Sequence, residues 1–232
     1  MNIKHYLNSA QQAFMAALLI VTLLGATFFM VEPKLGQAAT DVFTIKQTIT
    51  GELSFLVVAP DVVMDGSLAG VTGGTSNGTT TAVITTNSST GYTMSIAFED
   101  NAGDSAMYGD STGSDAIHDY TASSSEPTYG FHTASTSAVF GYTAFSTTTA
   151  SDIDASFKDD GGGNCGSGTG NISVCWMEPT VGAFQIVDSA AQAYNTGATT
   201  SIAFKVYVPN APSPAVETDT YTATATLTAV TK

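Results

Sequence analysis

The sequence predicts an all-β protein that follows an N-terminal hydrophobic helix. Short segments of alternating apolar and polar residues recur along most of the chain, and connections rich in Gly, Ser, Thr and Asn separate them. Such alternation indicates strands that bury one face and expose the other. Beyond residue 38, we find no apolar stripe with helical spacing over three turns.

The first element is a targeting segment. Residues 14–31 carry no Asp, Glu, Lys or Arg, and Lys4 precedes them. The small residues Gly36 and Ala38 meet the requirement of a signal peptidase, so we expect cleavage after Ala38, or after Ala39 as the near alternative. An uncleaved anchor is the other interpretation, because the apolar run approaches the roughly 20 residues of a membrane-spanning helix.

The rest of the chain, residues 39–232, is long enough to form a single β-domain with its own core. This part has 19 acidic residues against four lysines, and the whole chain contains no arginine. Such a chain cannot neutralise a phosphate backbone, so the composition argues against nucleic-acid binding. We interpret the acidity as a source of solubility. Contact with a membrane is expected only through residues 1–38, the signal peptide.

The clearest strand lies near the C-terminal end, where Tyr221, Ala223, Ala225, Leu227 and Ala229 alternate with threonines. Further strands are predicted, in chain order, at 43–45, 53–57, 82–84, 92–98, 139–145, 172–176, 184–187 and 202–208. We expect residues 82–84 and 92–98 to form a hairpin across the connection 87–91. About eight to ten such strands predict two packed antiparallel sheets, that is, a β-sandwich of Ig-like or jelly-roll-like kind. Long loops are predicted at 99–136 and 159–170.

Two cysteines, Cys165 and Cys175, are separated by nine residues that include a flexible Gly-rich turn. A disulfide is the natural interpretation in an exported protein. A metal pair is the rival interpretation, but it lacks the two-residue spacing of metal-binding cysteines and a nearby histidine.

Three further patterns concern chemistry. Residues 109–113 match the Gly-x-Ser-x-Gly pattern around a nucleophilic Ser111, but no buried parallel strand precedes it and no amphipathic helix follows. An acidic cluster could supply oxygen ligands to calcium, which makes calcium the one candidate cofactor. Its proposed ligands are Glu99, Asp100, Asp104 and Asp110, and the alternative is a set of solvated loop carboxylates. Trp176 is expected to pack in the core against the disulfide, and the alternative is a platform that stacks on a sugar.

The export segment and the Thr-rich run Asp219–Leu227 resemble those of bacterial surface β-sandwich and pilin-like structural proteins. The resemblance implies an extracellular or cell-surface location and a noncatalytic role, and it assigns no site residues. The expected function is therefore that of a structural protein, such as a subunit of a surface filament or envelope layer, whose partners are other surface proteins or copies of itself. The alternatives are an extracellular module that binds glycans or another ligand, and a secreted hydrolase.

Residues 40–50 bear on assembly. Phe43 and Ile45 alternate with polar residues directly after the expected cleavage site. The segment can fold back at Gly51 onto residues 53–58, or it can add a strand to the sheet of another subunit. The sequence favours the first arrangement, because Gly51 permits a tight reversal.

Overall fold

The computed structural model describes residues 9–30, 43–99, 105–111, 115–121, 127–133, 136–148, 152–168 and 173–232. The chain divides into two compact units, residues 1–48 and residues 49–232. The first unit contains helix α1 (Ser9–Met30). Its apolar stretch is long enough to cross a membrane, which fits a signal sequence or an anchor. The expected cleavage positions at Ala38 and Ala39 lie outside the described residues.

The second unit, which we call the body, is mostly β-strand, as the sequence predicts. A short 3₁₀ helix lies at Ala155–Phe157. The strands are β1 (Leu53–Val57), β2 (Gly74–Thr86), β3 (Tyr92–Phe98), β4 (Met107–Gly109), β5 (Ala116–Asp119), β6 (Thr128–Tyr129), β7 (Val139–Phe145), β8 (Cys175–Trp176), β9 (Phe184–Ser189), β10 (Ala193–Val208), β11 (Tyr221–Ala223) and β12 (Ala225–Thr231).

Seven strands form one sheet in the order β1-β2-β10-β7-β5-β4-β11, and three form a second sheet in the order β12-β3-β9. Strands β6 and β8 make a separate pair. The neighbours within these sheets are antiparallel except β5 and β7, which run parallel. The larger sheet is therefore mixed, whereas the alternation had predicted antiparallel pairing throughout.

The inner faces of the two larger sheets contribute to one hydrophobic core. Every second residue of β3 is buried, from Tyr92 to Phe98, and the same period buries Ile202 to Val208 in β10. Across the core, the ring of Phe98 lies 6.0 Å from that of Phe140 and 5.2 Å from that of Tyr142. The predicted strand faces are confirmed here, because the alternation matches the observed burial.

The predicted hairpin between residues 82–84 and 92–98 is wrong. Strand β2 pairs with β1 and β10, whereas β3 pairs with β12 and β9. The connection 87–91 therefore carries the chain from one sheet to the other. Gly91 has a positive φ of 86°, and a Cβ added there would lie 2.0 Å from the carbonyl oxygen of Ser189. Glycine permits this close passage because it has neither a Cβ nor a penalty for positive φ.

The alternating run at the C-terminal end also serves both sheets. It divides at Thr224 into β11, which pairs with β4, and β12, which pairs with β3. The carbonyl oxygen of Thr224 accepts a hydrogen bond from the amide of Glu99 at 3.0 Å. Continuous alternation predicted one strand, but the chain changes sheets at this residue.

Residues 43–50 form neither a strand nor a turn. The reversal expected at Gly51 is absent from this described segment, and β1 pairs with β2 instead. The side chain of Asn87 holds the entry to β1, because it donates to Thr50 O at 3.1 Å and accepts from the amide of Glu52 at 2.7 Å.

The same connection binds the far end of the body. The amide of Lys232 donates to Gly91 O at 3.1 Å, and the hydroxyl of Thr90 donates to the carbonyl oxygen of Lys232. The side chain of Lys232 forms an ion pair with Asp188.

Parts of the two predicted loops form β-strands or a β-bridge. The described parts of 99–136 contribute β4, β5 and β6, so this region is an ordered excursion rather than a plain connection. In 159–170, Asp159 and Cys165 form an isolated antiparallel bridge.

Candidate functional site

An open cleft of about 600 Å³ lies in the body. Its walls come from the ends of β3 and β5, the start of β7 and the segment 178–181. The polar groups that line it are the carboxylates of Glu99, Asp119 and Glu178, the imidazole of His118, and the hydroxyls of Thr121, Ser137 and Thr180. Phe98, Val139 and Val181 supply apolar surface. Several polar groups converge in this cleft beside a smaller apolar surface, which makes it a candidate ligand site.

Backbone hydrogen bonds hold the walls of the cleft together. The amide of Phe98 donates to Thr180 O at 2.9 Å, and the amide of His118 donates to Ala138 O at 3.1 Å. Oδ1 of Asp119 accepts from the amide of Ala106 at 2.9 Å. The lining is therefore attached to both larger sheets.

The charges of the cleft limit its ligands. Three carboxylates outnumber the one imidazole, so the cleft favours cationic groups or neutral hydroxylated molecules over anions. In the described parts of the chain, no group of three or more Asp, Glu, His or Cys side chains is close enough to hold a metal ion.

The structure places the predicted calcium ligands in different surroundings. Glu99 lines the cleft, whereas Asp110 does not. The backbone of Asp110 pairs with Thr220 O at 2.8 Å, and its side chain is exposed. Asp100 and Asp104 lie outside the described residues, so calcium binding by the full set stays a prediction.

Ser111, the serine of the Gly-x-Ser-x-Gly pattern, is hydrogen-bonded to a carboxylate. Its hydroxyl donates to Asp219 Oδ1 at 2.8 Å and its amide to Asp219 Oδ2 at 2.9 Å. A serine nucleophile requires a base that accepts its proton, and in most such sites that base is a histidine. Through its carboxylate, Asp219 instead connects the segment just before β11 to the turn that follows β4.

A second carboxylate joins the same strands. Asp115 accepts hydrogen bonds from the hydroxyl of Tyr221 and, at 3.0 Å, from the amide of Glu217. Burial and the neighbouring Asp115 raise the pKa of Tyr221 above its ordinary value. Asp115 and Asp219 therefore have contacts that account for them as structural residues.

The predicted disulfide is confirmed: Cys165 and Cys175 are joined, with their Cα atoms 5.9 Å apart. The bond attaches the Gly-rich loop 159–168 to β8. Since β8 pairs with β6, the loop is tied to the part of the body that holds Trp176.

Trp176 is buried, with 5% of its surface exposed. Its ring meets Phe131 edge to face at 5.1 Å, and Phe131 stacks on Tyr120 at 4.7 Å. The ammonium group of Lys205 lies 4.5 Å from the Trp176 ring centroid, and burial lowers its pKa. These surroundings favour a packing role, because a platform for a sugar needs an exposed ring face.

The chain also presents a second candidate site, an assembly surface. Phe43, Ile45 and Ile49 are 77%, 83% and 82% exposed. Within the body, β1 and β12 are edge strands of their sheets, and their Cα atoms approach within 8 Å. We call this junction the β1–β12 seam.

The seam leaves core side chains incompletely covered. Leu53 and Phe55 of β1 and Leu227 and Ala229 of β12 pack against the core but are only partly buried. The corresponding inward residues of the central strands β3 and β10 are buried. Among the described strands, β1 and β12 each pair with one neighbour in their sheets. Backbone N–H and C=O groups on the other side of each strand are therefore open to pairing.

The sequence singled out Glu99 as a candidate calcium ligand but did not place it in a cleft with Asp119 and His118. It did not single out Glu178. These residues are distant in the sequence, and strand alternation carries no information on which loop ends meet.

Comparison with protein-family models, curated proteins and solved structures gives no match to this chain.

Proposed function

We propose that this chain is a noncatalytic structural protein of the cell surface or extracellular space, and that copies of it assemble into a filament or layer. Two observations carry the proposal: the segment 43–49 is exposed and alternating, and the β1–β12 seam of the body is incompletely covered. The apolar helix α1 and the disulfide support export to an oxidising compartment.

The two features complement each other. A strand formed by residues 43–49 would place Phe43, Ile45, Gln47 and Ile49 on one face and Thr44, Lys46 and Thr48 on the other. Laid along the seam, its apolar face would cover the partly exposed Leu53, Phe55, Leu227 and Ala229, and its backbone would pair with an edge strand. Exposed, alternating apolar residues have a large hydrophobic gain available on such burial.

Charge favours the same contact. The body carries 18 acidic residues against three lysines, whereas residues 43–49 carry one lysine and no acidic residue. The segment is therefore attracted to a surface that otherwise repels its own copies.

We propose that the segment 43–49 that covers the seam of one subunit comes from a second copy of the chain. A fold-back within one subunit needs a reversal between residues 49 and 53, and the structure has no turn there. Asn87 binds both Thr50 and Glu52 and so holds this stretch in its observed path.

The test uses the exported protein isolated from its own compartment. Phe43→Asp combined with Ile45→Asp should abolish oligomers measured by light scattering, because two charges cannot enter the apolar seam. Thr44→Asp combined with Thr48→Asp adds the same charge on the other face and should leave assembly largely intact. Equal assembly of the two variants, or a wild type that stays monomeric, would overturn strand donation.

Deletion of residues 39–50 separates assembly from folding. If the truncated protein keeps the thermal unfolding transition of the wild type but forms no oligomers, the segment acts between subunits. If the truncated protein loses its fold and the wild type was always monomeric, residues 43–49 complete their own body and the proposal fails.

We also propose that the body is a β-sandwich of the Ig-like or jelly-roll-like kind. The shared core of the two larger sheets supports this arrangement. The parallel β5/β7 pair is the point at which it departs from a wholly antiparallel sandwich.

A second candidate function is binding of a glycan or a cationic ligand, which the cleft favours. Screening neutral oligosaccharides and amines for binding would test it, with Glu99→Gln/Glu178→Gln as the cleft variant and Asp65→Asn as a control outside the cleft. Ligands that bind both variants equally would argue against the cleft.

A further inference from the structure

The loop Asp159–Gly168 contains a carboxylate whose burial is not explained by its hydrogen bonds. Asp159 is 6% exposed, and its Oδ2 atom has no hydrogen-bond partner among the described residues. Its other oxygen, Oδ1, accepts from the amide of Gly161 at 2.9 Å. This bond directs the carboxylate into the loop.

The neighbouring carboxylate provides a contrast. Both oxygens of Asp160 accept hydrogen bonds, from the amides of Gly162 and Asn164 and from the Asn164 side chain. The Asn164 side-chain bond, followed by the backbone bonds, lowers the pKa of Asp160. Asp160 therefore stays ionised and adds negative potential beside Asp159 without needing a further partner.

A buried carboxylate oxygen without a partner is costly, because the ionised group loses its hydration and gains nothing in return. A hard cation removes this cost by supplying charge and direct coordination. Water alone could satisfy the hydrogen bond, but it would leave the negative charge of Asp159 uncompensated.

The backbone of the loop turns tightly. Gly161, Gly163, Gly166 and Gly168 all have positive φ, a conformation that glycine adopts without strain. A Cβ at Gly168 would lie 2.5 Å from the carbonyl oxygen of Asp159, so two backbone segments lie against each other there. The Cys165–Cys175 disulfide holds the loop in place.

We propose that the loop Asp159–Gly168 binds one calcium ion through Asp159 Oδ2, with backbone carbonyl oxygens of the loop and water as the other ligands. Calcium takes oxygen ligands in flexible geometry and is abundant outside cells. The described residues offer no cluster of three acidic, His or Cys side chains, so the site has few charged ligands. We expect a dissociation constant of about 1 mM, as in weak extracellular calcium modules.

Terbium luminescence tests the location of the site, with Tb³⁺ as the probe for calcium. Tyr129 is a suitable sensitiser, because its ring lies within 3.9 Å of a Cβ built on Gly163. Wild-type emission should be saturable and should be displaced by calcium. Asp159→Asn should lose it and Asp110→Asn should keep it. Emission that survives in Asp159→Asn, or that is lost in Asp110→Asn, would overturn the proposal.

Thermal unfolding gives an independent readout on the full exported protein. At calcium about tenfold above the dissociation constant, the wild-type melting temperature should rise by about 3 to 5 °C. Asp159→Asn should melt at or above the calcium-free wild type, since it removes an uncompensated buried charge, and calcium should not shift it. A wild-type melting temperature that calcium leaves unchanged would refute the site, even if the variant failed to fold.

Discussion

Gly91, where the chain passes from the seven-stranded to the three-stranded sheet, gives the sharpest test of the fold. An alanine there would hold a φ of 86° and place its Cβ 2.0 Å from Ser189 O and 2.9 Å from the amide nitrogen of Ala191. Gly66 is a matched control, because its φ is 64° and nothing lies within 4 Å of a Cβ built on it. Both substitutions strain the backbone, but only Gly91→Ala adds a clash with neighbouring main chain.

The expected losses of stability follow from the backbone strain, which both variants share, and from the clash, which only Gly91→Ala adds. A left-handed conformation costs an L residue about 1–2 kcal/mol, so Gly66→Ala should lower the free energy of unfolding by that amount. Gly91→Ala should lose about 1–3 kcal/mol more, because β3 and the end of β9 must separate. Urea unfolding followed by circular dichroism measures both. Equal losses in the two variants would refute the close passage of the connection beside β9.

Further predictions concern individual side chains and the disulfide of the body. Tyr92→Phe should raise the free energy of unfolding at neutral pH by about 1 kcal/mol, because it removes a buried hydroxyl that has no partner among the described residues. Tyr221→Phe should lower the free energy of unfolding by about 1 kcal/mol, because the Tyr221 hydroxyl is hydrogen-bonded. If urea titrations showed Tyr221→Phe to be more stable than Tyr92→Phe, the two hydroxyl environments described here would be wrong. Burial, with a smaller contribution from a nearby carboxylate, raises the pKa of Tyr92, so stability should fall as the pH rises above about 10 and Tyr92→Phe should weaken that fall. Burial lowers the pKa of Lys205, so the unfolded chain binds more protons just below pH 10.5 and the contribution of Lys205 to stability rises with pH there. This contribution opposes the fall caused by Tyr92, so Lys205→Met should steepen the net fall in the same titrations. Replacing both Cys165 and Cys175 by serine should lower the free energy of unfolding by somewhat less than ~3 kcal/mol. An unchanged urea midpoint would show that the bond does not stabilise the body.

The sequence predicts strand faces well because burial and alternation have the same cause. Residues 92–98 and 202–208 bury every second side chain, as their pattern indicates. It does not predict strand neighbours. The composition of residues 87–91 fits a hairpin loop and a crossing between sheets equally well. A connection rich in turn-forming residues indicates that one strand ends and another begins, but not which strands pair.

The site is less predictable for the same reason. His118 and Glu178 line one cleft although about 60 residues separate them, and no local pattern joins them. Trp176 was expected in the core from its position after Cys175, but its contacts with Phe131 and Lys205 depend on strand order. The disulfide is the exception, because a short Gly-rich spacing between the only two cysteines constrains the pairing directly.

The two ends of the body meet at one short connection. Asn87 holds Thr50 and Glu52 at the beginning, and Gly91 and Thr90 hold Lys232 at the other end. A pulling force applied between residues 50 and 232 would therefore load the hydrogen bonds of residues 87–91 and largely bypass the hydrophobic core.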